Sequence, residues 1–198
     1  MFRRRPFRPF RFRPPGRPPL PPVAPRVRRA LRRAHEALAR GDAAEAAAIF
    51  HRLGEEAERR AMPLRAAVAF AEAAHAEALG DNPQKAVEDA GRAVEIAAHL
   101  GRPGRIAPAV GRVIEALRRK GYEAEAAELE SRLDAALEAA GTSRGEVAAR
   151  LAAARGKRRG QLPPKCEACG APLLPDEVEW HDATTASCPY CGSPVKVM

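Results

Sequence analysis

Four cysteines are all that the 198 residues contain, and none comes before position 166. A secreted scaffold spreads its disulfides through the framework, so that class is excluded for most of the chain. Apolar runs are short: no stretch approaches the ~18 consecutive residues that a membrane-spanning helix needs. Acidic residues are missing from the first 33 positions, which hold 12 Arg, and prolines stand where a secretory signal would carry its apolar middle. The expected compartment is the cytoplasm. Asparagine occurs once, at Asn82, and aromatics make up 5% of the chain, against heavy use of Ala, Arg, Gly and Pro. That balance suggests a GC-rich bacterial genome. Catalytic signatures are also missing: there is no Gly-rich phosphate loop, HExxH pair or Gly-x-Ser-x-Gly elbow. No enzyme and no small-molecule substrate is expected.

What the chain does have is unevenly placed charge. The formal net charge is +9; setting the first 33 residues aside leaves 22 Lys plus Arg against 25 Asp plus Glu, a sum of −3. Basicity belongs to one arm. Residues 1–25 carry too much Pro and like charge to offset the entropy of ordering by burying a core, so they read as a disordered or polyproline II arm. Within it Arg3, Arg4, Arg5, Arg8, Arg11, Arg13 and Arg17 alternate with phenylalanines, Phe7 and Phe10 among them. Arginine neutralises phosphates and aromatic rings stack on unpaired bases, so the arm suits single-stranded nucleic acid or ribosomal RNA. An anionic membrane surface would be served by the same residues, and a merely solvated tail is the plain alternative.

Residues 26–155 change character to Ala-rich with apolar positions at helical spacing. The segment also repeats itself at a long shift, set by the equal spacing of Ala46, Ala86 and Ala126; Gly41-Asp42, Gly80-Asp81 and Gly121-Tyr122 precede these three in turn. Each glycine is expected to supply the left-handed residue that ends one helix before the next begins. Pro63, Pro83 and Pro103 stand near helix starts, where a missing amide costs nothing. Three helix hairpins result, and Ser143 with Glu146 forms a capping box for a seventh, capping helix ending near Arg155.

On these residues the segment 26–140 resembles tetratricopeptide-like repeats. The small residue of the second helix matches Ala46, Ala86 and Ala126, and the aromatic four positions on matches Phe50. It departs from that pattern in its longer period and in lacking most first-helix aromatics. The resemblance implies an α-solenoid that binds a protein or peptide, with His35, His75 and Glu115, which recur at the same shift as the three alanines, as groove contacts. A plain bundle of six or seven antiparallel helices is the alternative packing, and polar residues on a solvated face the alternative for those three.

The strongest chemical signal lies in residues 165–198. Cys166, Cys169, Cys188 and Cys191 follow the spacing Cys-x2-Cys-x18-Cys-x2-Cys, which suits one tetrahedral zinc ion. Gly170 and Gly192 follow the second cysteine of each pair, where a positive φ turns amides toward the sulfurs. Four thiolates leave no open position, so the site is expected to be structural, with one zinc per chain; a disulfide or redox pair is the alternative use. The segment resembles a zinc ribbon, a small β-type module, although rubredoxin holds iron in similar knuckles. Leu173, Leu174, Val178, Trp180, Val195 and Val197 are candidates for its core, and His181 is expected at the surface. A basic linker, residues 156–164, suggests a module separate from the helices. The expected function is therefore a non-enzymatic adaptor that carries a zinc ribbon; the alternative is an RNA- or DNA-binding or ribosome-associated protein that uses arm and ribbon.

Overall fold

The computed structural model describes residues 24–155, 161–175, 177–180 and 185–196. Seven helices come first: α1 (Pro25–Arg40), α2 (Ala43–Arg59), α3 (Pro63–Leu79), α4 (Pro83–His99), α5 (Ala107–Arg119), α6 (Glu123–Ala139) and α7 (Arg144–Arg155). A short 3-10 turn, Pro103–Arg105, leads into α5. Three strands follow, β1 (Glu179–Trp180), β2 (Thr185–Ser187) and β3 (Pro194–Lys196), in one antiparallel sheet of order β1-β2-β3. Among the described residues no helix is long and apolar enough to cross a membrane.

The turns share one construction. Positive φ falls at equal intervals, on Gly41, Ala61, Asp81, Gly101, Gly121 and Gly141. One position further on, the amide of Asp42, Met62, Asn82, Arg102, Tyr122 or Thr142 donates to the carbonyl of Ala37, Glu77 or their equivalents at 57, 97, 117 and 137, at 2.8 to 3.0 Å. Such bonds satisfy carbonyls that a helix end leaves without partners. The unit that repeats is therefore a single helix and its turn, half the shift visible in the sequence. Gly80 is a correction: its φ is −87° and the left-handed residue is Asp81, because the register places the turn one residue later. The capping box forms as expected, with the Glu146 amide donating to Ser143 Oγ at 3.2 Å and the Ser143 amide to Glu146 Oε2 at 3.3 Å.

Packing follows the register. Neighbours α1–α2, α2–α3, α3–α4 and α5–α6 touch, and so do the alternate pairs α3–α5 and α4–α6, the pattern of hairpins laid side by side. Ala46, Ala86 and Ala126 are all fully buried. A side chain of that size lets two helix axes approach to ~8 Å. Ala86→Leu should overpack the core around α4 and cost ~1 to 3 kcal/mol, read as a lower midpoint in thermal or urea unfolding.

One buried acid disturbs this core. Asp89 of α4 is 7% exposed, and its Oδ1 lies 3.5 Å from Nε2 of His51 on α2. Burial is the main cause that raises its pKa from 3.8 to about 6, against the pull of His51. A raised carboxyl pKa means that its contribution is fully present below the unfolded value and is lost as pH rises through about 6. Asp89→Asn should then stabilise the protein at pH 8 by ~1 to 2 kcal/mol, after discounting for solvent on the His51 side, and do little at pH 4. Unfolding curves of both proteins at the two pH values check the sign.

Candidate metal centre and its docking face

Two knuckles with the same backbone wiring bring the cysteines together. In the first, the Gly170 amide donates to the Cys166 carbonyl at 2.8 Å and the Cys166 amide to the Ala171 carbonyl at 2.8 Å; in the second, Gly192 to Cys188 and Cys188 to Ser193 repeat this at 2.9 Å each. Gly170 and Gly192 have φ of +75° and +69°, as the knuckles require. The four sulfurs are buried and lie within 4.8 Å of one another, with Cys166 to Cys191 and Cys169 to Cys188 both at 3.8 Å. A tetrahedral shell with metal–sulfur bonds of ~2.3 Å puts its sulfurs ~3.8 Å apart, so the cluster fits a single metal ion. Hydrogen bonding among the thiols, with Cys169 first, holds Cys166 down to about 6; bonding to Cys166 lowers Cys191 and raises Cys169 and Cys188. Thiols bind a metal as thiolates, so a cation held by these four residues would displace their protons.

The ribbon's own core is smaller than expected. Leu173, Val178 and Val195 are buried and Trp180 is partly buried, but Leu174 is 40% exposed, a correction, because the turn beyond it points its side chain outward. Val197 and His181 lie outside the described residues. What completes the core is the helical domain: Leu31, Ala34, Ile49 and Phe50 share one apolar cluster with Cys166, Cys169, Val178 and Tyr190. The ribbon is thus seated on the helices.

The middle residues of both knuckles make that contact. Arg32 Nη2 of α1 donates to the carbonyls of Glu167 and Ala168, at 3.0 and 3.1 Å. In the second knuckle the Tyr190 ring packs edge-on against His35, centroids 5.3 Å apart, and His35 in turn against Phe50 at 5.1 Å. The Tyr190 hydroxyl lies 3.2 Å from both Glu72 Oε1 of α3 and Glu177 Oε2 of the ribbon. Arg112 of α5 closes the group, donating from Nη2 to Glu72 Oε1 at 2.7 Å and pairing through Nη1 with Glu177. Burial, and secondarily the Glu72 charge, push the Tyr190 hydroxyl well above its usual value, so it stays a donor. Arg32, Glu72 and Arg112 follow one another at the shift of the hairpin repeat; the same position on three alternate helices grips the ribbon.

The expected groove residues fall on this same side with different fates. His35 is buried against Tyr190, with no hydrogen-bond partner for Nε2 among the described residues. His75 is half-buried and Glu115 exposed. Burial is the main cause that lowers the pKa of both histidines. Residues 1–23, which contain Arg3, Arg4, Arg5, Arg8, Arg11, Arg13, Arg17, Phe7 and Phe10, lie outside the described residues. Sequence reasoning missed Tyr190, Glu72, Arg112 and Arg32; the alternation of Arg, Glu and Arg at the repeat's own shift was the signal available. Compared with protein-family models, with curated proteins and with solved structures, the chain matches none.

Proposed function

We propose that the chain is a non-enzymatic adaptor: a tetratricopeptide-like array of helix hairpins that carries a structural zinc ribbon and binds a protein or peptide. The observation behind this reading is a cavity of about 190 Å³ at the seam of α1, α2, α3 and the second knuckle, lined by Val27, Leu31, Leu53, Met62, Ala69 and Tyr190. Its walls are mostly apolar, with Glu56, Arg60 and Arg65 also lining it, and suit a side chain of a docking peptide; Met62 among them is 39% exposed. The metal supports recognition from behind. Four thiolates fill a tetrahedral zinc shell, so the ion supplies folding free energy to a short segment and holds Tyr190 in the cavity wall.

Two measurements test this. Native mass spectrometry should find one zinc per chain. A pull-down from native cell extract should recover a protein partner at low and at moderate salt, and Met62→Asp should lose it. Recovery of no partner at either salt, or equal recovery by the variant, would count against the adaptor.

A further inference from the structure

The solvent face of α1 is a cationic surface that the adaptor reading does not use. Arg28, Arg29, Arg32 and Arg33 surround a shallow depression between this helix and the first knuckle, with Pro25 and Ala168 at its edges and Glu36 as the only acid among the described residues that line it. Arg33 is paired with Glu45, and Arg32 spends part of its guanidinium on the knuckle carbonyls. Among the described residues the guanidinium groups of Arg28 and Arg29 take part in no hydrogen bond or ion pair, and neither residue is buried.

This arrangement works against the helix that carries it. Like charges four apart, as in Arg28/Arg32 and Arg29/Arg33, each cost an isolated helix ~0.2 to 0.5 kcal/mol. The first turn of α1 contains no acid, so these cations also face the positive end of the helix dipole. Local choices that conflict with folding tend to mark sites that serve something else. An anion laid along the depression would offset both penalties.

We propose that this face of α1, together with the first knuckle, binds single-stranded nucleic acid through its phosphates. The polymer is favoured over an acidic peptide by the composition of the adjoining residues. Upstream of Pro25 lie seven further Arg, no acid, and Phe2, Phe7, Phe10 and Phe12. Guanidinium groups alone would serve any polyanion, whereas interleaved rings add stacking on unpaired bases, worth ~1 to 3 kcal/mol per base. The seated ribbon fixes the far wall, because Arg32 holds the knuckle backbone beside the exposed cations. This binding is independent of the protein partner proposed above.

The test is fluorescence anisotropy of the full-length, zinc-loaded protein with a labelled 12-nucleotide RNA and the matching DNA, over a series of salt concentrations. Arg28→Gln with Arg29→Gln removes two cations whose guanidinium groups pair with none of the described residues, so the melting midpoint should stay or rise. Two phosphate contacts contribute ~1.4 to the slope of log K against log salt for a single strand. The double variant should lose that much slope and bind roughly tenfold more weakly at fixed low salt, whereas Arg92→Gln, on α4, should bind as wild type does. No binding by the wild-type chain, an unchanged slope in the double variant, or equal loss in Arg92→Gln would overturn the proposal. So would binding confined to vesicles containing phosphatidylserine, or to an acidic peptide of equal charge.

Discussion

Cys169→Ser is expected to unfold the ribbon and also to lower the melting midpoint of the helices by roughly 5 to 15 °C. The first effect follows from size. About 30 residues bury too little apolar surface to fold alone, and a structural zinc contributes ~10 to 16 kcal/mol in comparable peptides. The second follows from docking. Tyr190 is buried between His35 and Glu72, and withdrawing one aromatic side chain of this kind costs ~1.5 to 3 kcal/mol. Leu31 and Ile49 also lose cover, since they share an apolar cluster with the cysteines. In a domain of this size each kcal/mol moves the midpoint by several degrees. Calorimetry of the variant and of chelated wild type should give the same lowered midpoint; a helical transition unmoved by either treatment would mean that the ribbon contributes nothing to the helices.

Arg112→Ala should be the most damaging single change outside the cysteines, at ~3 to 5 kcal/mol. The guanidinium stands between two carboxylates, Glu72 and Glu177, which are 5% and 10% exposed in their side chains. Removing it leaves two like charges in a largely buried site, and breaking a buried pair in this way is much costlier than the pair's net worth. Arg112→Lys should recover only part of the loss, because an ammonium cannot present two separate donors in the fork that reaches Glu72 and Glu177 together. Tyr190→Phe should cost far less, ~1 kcal/mol, since it removes one neutral donor and keeps the ring against His35. Urea unfolding of the three variants ranks them; Arg112→Ala milder than Tyr190→Phe would show that the group is solvated.

Much of this was legible in the sequence. The four cysteines declared themselves by spacing, and the buried Ala46, Ala86 and Ala126 gave the hairpin repeat through their even recurrence. The finer register of one helix and one turn stayed hidden because Ala61 and Asp81 hold the left-handed position, where the signal sought was glycine. Docking was harder to see for a different reason. Arg32, Glu72 and Arg112 are charged, and charged residues on a helix read as solvated unless a partner is in view. The partner here is remote in sequence: Tyr190 meets Glu72 across 118 residues, and it stands between two cysteines where attention goes to the metal. Physical reasoning from one chain recovers local patterns well, and it loses pairings whose two halves each look ordinary.

The central claim is that one metal ion holds the ribbon on the face formed by α1, α3 and α5. Hydrogen exchange of the full chain, followed by mass spectrometry with one equivalent of zinc and again after chelation, tests it most directly. The account predicts that chelation removes protection from residues 165–196 and, together with it, weakens protection in the peptides that contain Arg32 to His35, Glu72 and Arg112, while those covering α4 and α6 keep theirs. Loss of protection in the ribbon alone, with the three helix peptides unchanged, would contradict it.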